Sequence, residues 1–148
     1  MYRVIFPSII MAAVVSSGTS RNEEVMSLDL REYRWKNRLL FLFAPNRDHP
    51  SFDSLHESIV ACEAEADDRD LVIFEVLETA PCTVDGDPLD PASAQLLRDR
   101  FGAAEGAFSV VLVGKDGGVK LDHQGQIRVE EIFALIDAMP MRQEEMRR

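Results

Sequence analysis

The chain has 148 residues, 46% of them hydrophobic, and a formal net charge of −10. That length suits one domain with a real core, and so acidic a body repels nucleic acid and anionic lipid surfaces. Its basic residues cluster at Arg31, Arg34, Lys36 and Arg38 and again at Arg142, Arg147 and Arg148, both times laced with glutamate, as on a solvated surface.

Residues 1–17 read as an export signal. Arg3 gives a positive n-region, residues 4–15 give an apolar h-region of about the usual 7–15 residues, and Ser16, Ser17 and Gly18 offer small residues for cleavage after Ser17. A membrane span needs roughly 20 apolar residues, and this run is shorter and carries Pro7. A periplasmic or extracellular mature chain without a stable membrane span is expected, with a flexible leader at 18–29 and one domain at 30–148.

Leu28, Leu30, Tyr33 and Trp35 suggest a segment that packs onto the domain. Residues 39–43 are a continuous apolar run stopped by Ala44-Pro45, which suits a strand buried on both faces. From Ser51 the apolar stripe Phe52, Leu55, Ile59, Cys62 and Ala66 has helical spacing, and Pro50, Ser51 and Asp53 fit a helix start. Residues 71–76 form a second apolar strand. Residues 79–90 form an acidic loop, and Asp90-Pro91 then opens a helix to about Phe101. Residues 108–113 make a third strand, Asp116-Gly117 a hairpin turn, and residues 119–121 the return strand. A last helix over 128–138, with Val129, Ile132, Phe133 and Ile136 on one face, stops before Pro140.

The order strand, helix, strand, helix, strand, strand, helix predicts parallel pairing through right-handed crossovers plus one antiparallel pair. The expected fold class is α/β, a thioredoxin-like three-layer sandwich in which helices cover both faces of a four-stranded mixed sheet.

Three stretches carry a family likeness. They are Trp35-Lys36-Asn37-Arg38, then Val113-Gly114-Lys115-Asp116-Gly117-Gly118-Val119-Lys120, and Ile136-Asp137-Ala138-Met139-Pro140-Met141-Arg142. Together the chain resembles the DUDES-type, peroxiredoxin-like domains of unknown function (the domain-of-unknown-function 4174 family). That resemblance spans about residues 30–146. It implies a thioredoxin-like fold outside the cytoplasm and no established activity.

In thiol-based folds of this layout the reactive sulfur sits between the first strand and the first helix, whose N-terminus stabilises a thiolate. Here that junction reads Ala44-Pro45-Asn46-Arg47-Asp48-His49-Pro50, without cysteine. Cys82, just past the second strand, is the one candidate for a reactive thiol. Asp85, Asp87 and Asp90 follow it and disfavour a thiolate, and there is no Cys-x-x-Cys pair. Cys62 reads as a small buried hydrophobe. It lies about 16 Å along the first helix at 1.5 Å per residue, whereas bridged Cα atoms are usually about 4.4–6.8 Å apart, so a bond to Cys82 needs the loop to fold back.

Arg47 and His49 stand where free helix N–H groups favour an anion, and Arg142 in the tail motif is a further candidate contact. His49, His56 and His123 lack metal-ligand spacing, so neither a metal nor a cofactor is expected. The leading expectation is a non-catalytic binding module for another envelope or extracellular protein or for a small anionic ligand. The alternative is a single-cysteine thiol peroxidase or disulfide reductase that uses Cys82.

Overall fold

The apolar run from Leu39 to Phe43 forms the body of β1 (Arg38–Ala44), buried along its whole length because layers cover both of its faces. In the computed structural model, which describes residues 28–148, β1 pairs parallel with β2 (Leu71–Leu77) and antiparallel with β5 (Ser109–Val113). A hairpin of β3 (Cys82–Val84) and β4 (Asp87–Leu89) extends the sheet beyond β2, and β6 (Val119–Gln124) forms the other edge. The strand order is β4-β3-β2-β1-β5-β6. The expected signal peptide lies outside the described residues.

Helices cover both faces, as expected. They are α1 (Pro50–Ala61), α2 (Glu63–Asp68), α3 (Pro91–Phe101), α4 (Val129–Asp137) and α5 (Pro140–Met146), preceded by a 3₁₀ turn (Leu30–Tyr33). Alternation along β1 sends Phe41 and Phe43 to the α3 face, where Phe41 meets Phe74 at 4.6 Å and Phe101 at 4.7 Å between ring centroids. Tyr33 of the 3₁₀ turn adds an edge contact to Phe74 at 5.9 Å. On the other face α1 and α4 pack together and bury Phe52, Leu55, Ile132 and Ile136.

The ends of α3 follow from its sequence. The Asp90 carboxylate accepts the Ser93 amide N–H at 2.9 Å, Pro91 occupies the first turn, and Gly102 at φ +63° takes the left-handed C-cap.

Four expectations change. The acidic loop holds the β3–β4 hairpin, so the sheet has six strands and not four. Asp85 (φ +48°) and Gly86 (φ +87°) form its two-residue turn, the positive-φ pair that matches strand twist, and Pro88 sits in the outer strand. The long helix divides at Cys62 (φ −115°), which ends α1 and begins α2 and is only half-buried. Pro140 stops α4 and also starts α5, since a proline needs no helical N–H partner in a first turn. Finally, Trp35 has φ +67° and stays 61% exposed, while Leu28, Leu30 and Tyr33 pack against the core.

Candidate functional site

β1 and β2 run parallel, so the segment after Ala44 and the segment after Leu77 emerge at the same end of the sheet. There the Asn46 side chain accepts the Asp48 amide N–H at 2.9 Å and turns the chain. His49 caps α1, its Nδ1 accepting the Ser51 amide N–H at 3.3 Å, and its ring stacks on Phe108 at 5.8 Å. His49 thus occupies part of the helix N-terminus that an anion would use.

The charged centre of this end is Glu75, the one ionisable residue within β2, buried beside Leu42. A buried carboxylate must find partners. Arg47 Nη1 donates to Oε1 at 3.1 Å, His56 Nδ1 lies 2.5 Å from Oε2, and the Thr83 hydroxyl donates to Oε1 at 3.5 Å. Phe52 backs both side chains: the His56 ring stacks on it at 5.7 Å and the Arg47 guanidinium lies 6.0 Å from its centroid. His56 Nε2 has no hydrogen bond among the described residues, nor do the remaining Arg47 N–H groups.

Arg47, His56 and Glu75 line a cleft of about 560 Å³ whose apolar wall includes Ile59 and Ile73. Glu63, Asp67 and Asp85 line it too and lower the positive potential of Arg47. Burial, together with the neighbouring Asp67 and Asp87, pushes the Asp85 carboxyl up, against the Ile73 amide that hydrogen-bonds it. Sequence reading singled out Arg47 and His49, weighed His56 only as a metal ligand, and passed over Glu75. The available signal was a lone glutamate inside an apolar strand run.

Cys82 begins β3 and is 8% exposed. Its Sγ accepts the Leu77 amide N–H at 3.1 Å and donates to the Leu77 carbonyl at 3.2 Å. Arg98 of α3 reaches the same carbonyl at 3.2 Å. Cys62, at the far end of α1, is a free thiol like Cys82; burial, with Glu65 beside it, pushes its pKa up. Neither sulfur has Arg47 or His49 among its hydrogen-bond partners.

Arg142 lies elsewhere, at the end where β1 and β2 begin. It is 5% exposed and ties Asp137 through Nε at 3.0 Å and Asp68 through Nη2 at 2.7 Å. Asp137 also takes both Nε and Nη2 of Arg69. Next to them Glu145 receives Arg38 at 3.3 Å and Lys115 at 2.7 Å, and Lys115 reaches Asp70 at 2.8 Å. Arg38, Lys115, Asp137 and Arg142 come from the three stretches that carry the family likeness. They meet in one ionic network that holds α5 to the sheet, at the end opposite Arg47. The sequence placed Arg142 on a contact surface because a motif beyond a helix end has no evident local role; its partners are distant in sequence.

The model of the domain of unknown function DUF4174 matches residues 29–145. The chain belongs to that family. Among curated proteins it is similar to the zebrafish (Danio rerio) coiled-coil domain-containing protein 80, 26% identical over 133 aligned positions, covering 79% of this chain and 15% of the relative. The chain thus spans a small part of that relative's length. Among solved structures it is similar to the reduced 2-Cys peroxiredoxin of Plasmodium vivax, with a TM-score of 0.59 at 15% identity over 79% of this chain and 85% of the other. Plasmodium yoelii thioredoxin peroxidase I gives 0.55 at 17% identity, over 79% and 80%. These likenesses establish a thioredoxin-like fold for this member of the DUF4174 family. Among the described residues no helix is long and apolar enough to cross a membrane.

Proposed function

We propose that this DUF4174 domain is an exported, non-catalytic binding module. Its contact surface for another envelope or extracellular protein, or for a small anionic ligand, is the end of the sheet that carries Arg47, His49 and His56. Export rests on the Arg3 n-region and the apolar residues 4–15. The observation that carries the reading is the state of the sulfur. The junction after β1 has none, and Cys82 is buried and spends its hydrogen-bonding capacity on the backbone of Leu77. A nucleophilic thiolate needs an accessible, electropositive setting. Arg47, by contrast, is held by Glu75 with further N–H groups unbonded among the described residues, beside the unbonded Nε2 of His56.

Thiol titration and mass mapping of the mature protein, before and after a small excess of hydrogen peroxide, test this. Both cysteines should be recovered as thiols, and no peroxide should turn over. The second reading, a one-cysteine peroxidase or reductase, draws on the Leu77 N–H pointing at Sγ, a donor that would also stabilise a thiolate. Sulfenic acid on Cys82, with turnover abolished in Cys82→Ser, would put that reading in place of ours.

A further inference from the structure

The two faces of the sheet are covered unequally. α1 and α4 pack together over one face, whereas α3 and the short 3₁₀ turn serve the other. On that second face, toward β5 and β6, a groove of about 620 Å³ lies open among the described residues. Leu39, Leu97, Phe101 and Val113 line it. Its lips carry Leu96, 65% exposed, and Val119, 54% exposed, two of the large apolar side chains that face water. The size falls within the roughly 300–1,000 Å³ of small-molecule sites, which are mostly apolar with a few polar groups that orient the ligand.

The charge of this groove opposes that of the chain. Among the described residues Arg31, Arg34 and Arg100 line it against a single carboxylate, Asp29, in a protein of net charge −10. Asp29 is already taken by Arg31, through both Nε and Nη2. Among the described residues the Arg34 side chain spends only its Nε, on the Asp116 carbonyl at 3.0 Å. Its guanidinium carbon lies 5.7 Å from the Trp35 ring centroid, as that of Arg100 lies 5.7 Å from the Phe101 centroid, so each cation stands beside an aromatic ring, and among the described residues the Nη groups of both make no hydrogen bond. Gly117 makes room for this arrangement, since a Cβ there would come within 3.3 Å of Arg34 Nε.

We infer that this groove binds a single-chain anionic amphiphile of the aliphatic carboxylate type, its chain along Leu39, Leu97 and Val113 and its head between Arg34 and Arg100. The site is separate from the Arg47 end and does not depend on how that end functions. Planar guanidinium groups suit a carboxylate head, and the apolar floor suits an unbranched chain.

The test uses the chain's one tryptophan. Trp35 adjoins Arg34, so its fluorescence reports on the head-group end. Sodium dodecanoate below its micelle concentration should change Trp35 emission saturably, at one equivalent by calorimetry. Dodecyltrimethylammonium, with the same chain and the opposite charge, should bind at least about ten-fold more weakly, a difference of about 1.4 kcal/mol. The double variant Arg34→Gln/Arg100→Gln should lose at least about ten-fold in dodecanoate affinity at unchanged thermal midpoint. Val119→Asp, at the exposed lip, should weaken binding without touching either arginine. Equal binding of the cationic amphiphile, or unchanged binding in the double variant, would overturn the inference. So would binding only once residues 18–27 are removed, which would make that segment the occupant, or a failure to bind while the chain sediments as a dimer through this face.

Discussion

Arg38 and Glu145, 107 residues apart, meet as a two-pronged ion pair, Nη1 with Oε1 and Nη2 with Oε2, each at 3.3 Å. One opens the first strand and the other sits in the last helix, so the pair closes the chain on itself. Arg38 is 1% exposed and its Nη1 also donates to the Arg69 carbonyl at 2.9 Å. Breaking such a buried pair on one side strands a charge, which costs more than the pair itself contributes.

Arg142→Met tests the neighbouring half of the network. It removes the cation shared by Asp68 and Asp137 while keeping the apolar volume. Loss of a buried partner costs about 3–5 kcal/mol, and the lower end applies because Asp68 is exposed to water. Urea denaturation should show that loss, and amide exchange should show α5 opening first. A change below about 1 kcal/mol, the size of a surface pair, would mean that Arg69 alone holds Asp137.

Acid should dismantle the same region. Burial raises the Asp137 carboxyl, but Arg69 and Arg142 outweigh it; Glu145 behaves likewise, with Lys115 and Arg38 outweighing burial. Both carboxyls therefore sit below their ordinary values. A group lowered in the folded state gives stability that is fully present above its unfolded value of about 4 and is lost as pH falls through the folded one. The urea midpoint should hold from neutral pH to about pH 5 and drop below about pH 4. Arg142→Met should flatten that drop, and an unaltered acid limb would assign it to other carboxylates.

Cys82 invites a comparison of two substitutions. Serine keeps a donor and an acceptor for the Leu77 backbone and should stay within about 1 kcal/mol of the parent. Alanine leaves the buried Leu77 N–H without a partner, a penalty of about 1–3 kcal/mol. Equal stability of the two would show that the sulfur's hydrogen bonds contribute nothing to the fold.

For Asp85 the two replacements should part in the same way. Asparagine tolerates φ +48°, keeps an acceptor for the Ile73 N–H at 2.7 Å, and removes repulsion from Asp67 and Asp87. Alanine loses the acceptor and strains the turn. Thermal melts should place Asp85→Asn at or above the parent and Asp85→Ala below it by about 1–3 kcal/mol. Since this carboxyl is raised in the folded state, its ionisation lowers stability as pH rises, a trend the asparagine variant should lack.

Glu75 dictates which nitrogen of His56 carries the proton. With the carboxylate at Nδ1, the neutral ring holds its proton there, and nitrogen NMR should report the Nδ1–H tautomer. In Glu75→Ala the mixture should move toward Nε2–H. A tautomer indifferent to this change would mean that the carboxylate does not orient the ring.

The elements the sequence declared were those whose cause is local. The run at 39–43, the Asp90-Pro91 start of α3 and the Asp116-Gly117 turn each carry their reason within a few residues. The β3–β4 hairpin was equally local at Asp85-Gly86, but three-residue strands with alternate polar residues give too short a pattern to stand out from a loop. The candidate site was legible only in part. Arg47 and His49 show their place through the helix start, whereas the Glu75 partnership depends on α1 crossing β2 at one register. Arg142 is the opposite case, a residue visible as a motif whose role lies in partners up to 74 residues away.

Pro88 has a consequence beyond its own hairpin. With a two-residue turn closing at Val84 and Asp87, the next pair, Thr83 and Pro88, is the one whose backbone groups face away from each other. An ordinary residue at 88 would hold out an N–H on the sheet's bare margin, inviting an added strand from another molecule. Proline removes that donor, so lateral growth into fibrils or strand-exchanged pairs is disfavoured on the β4 side, and among the described residues β6 is the edge left to start it.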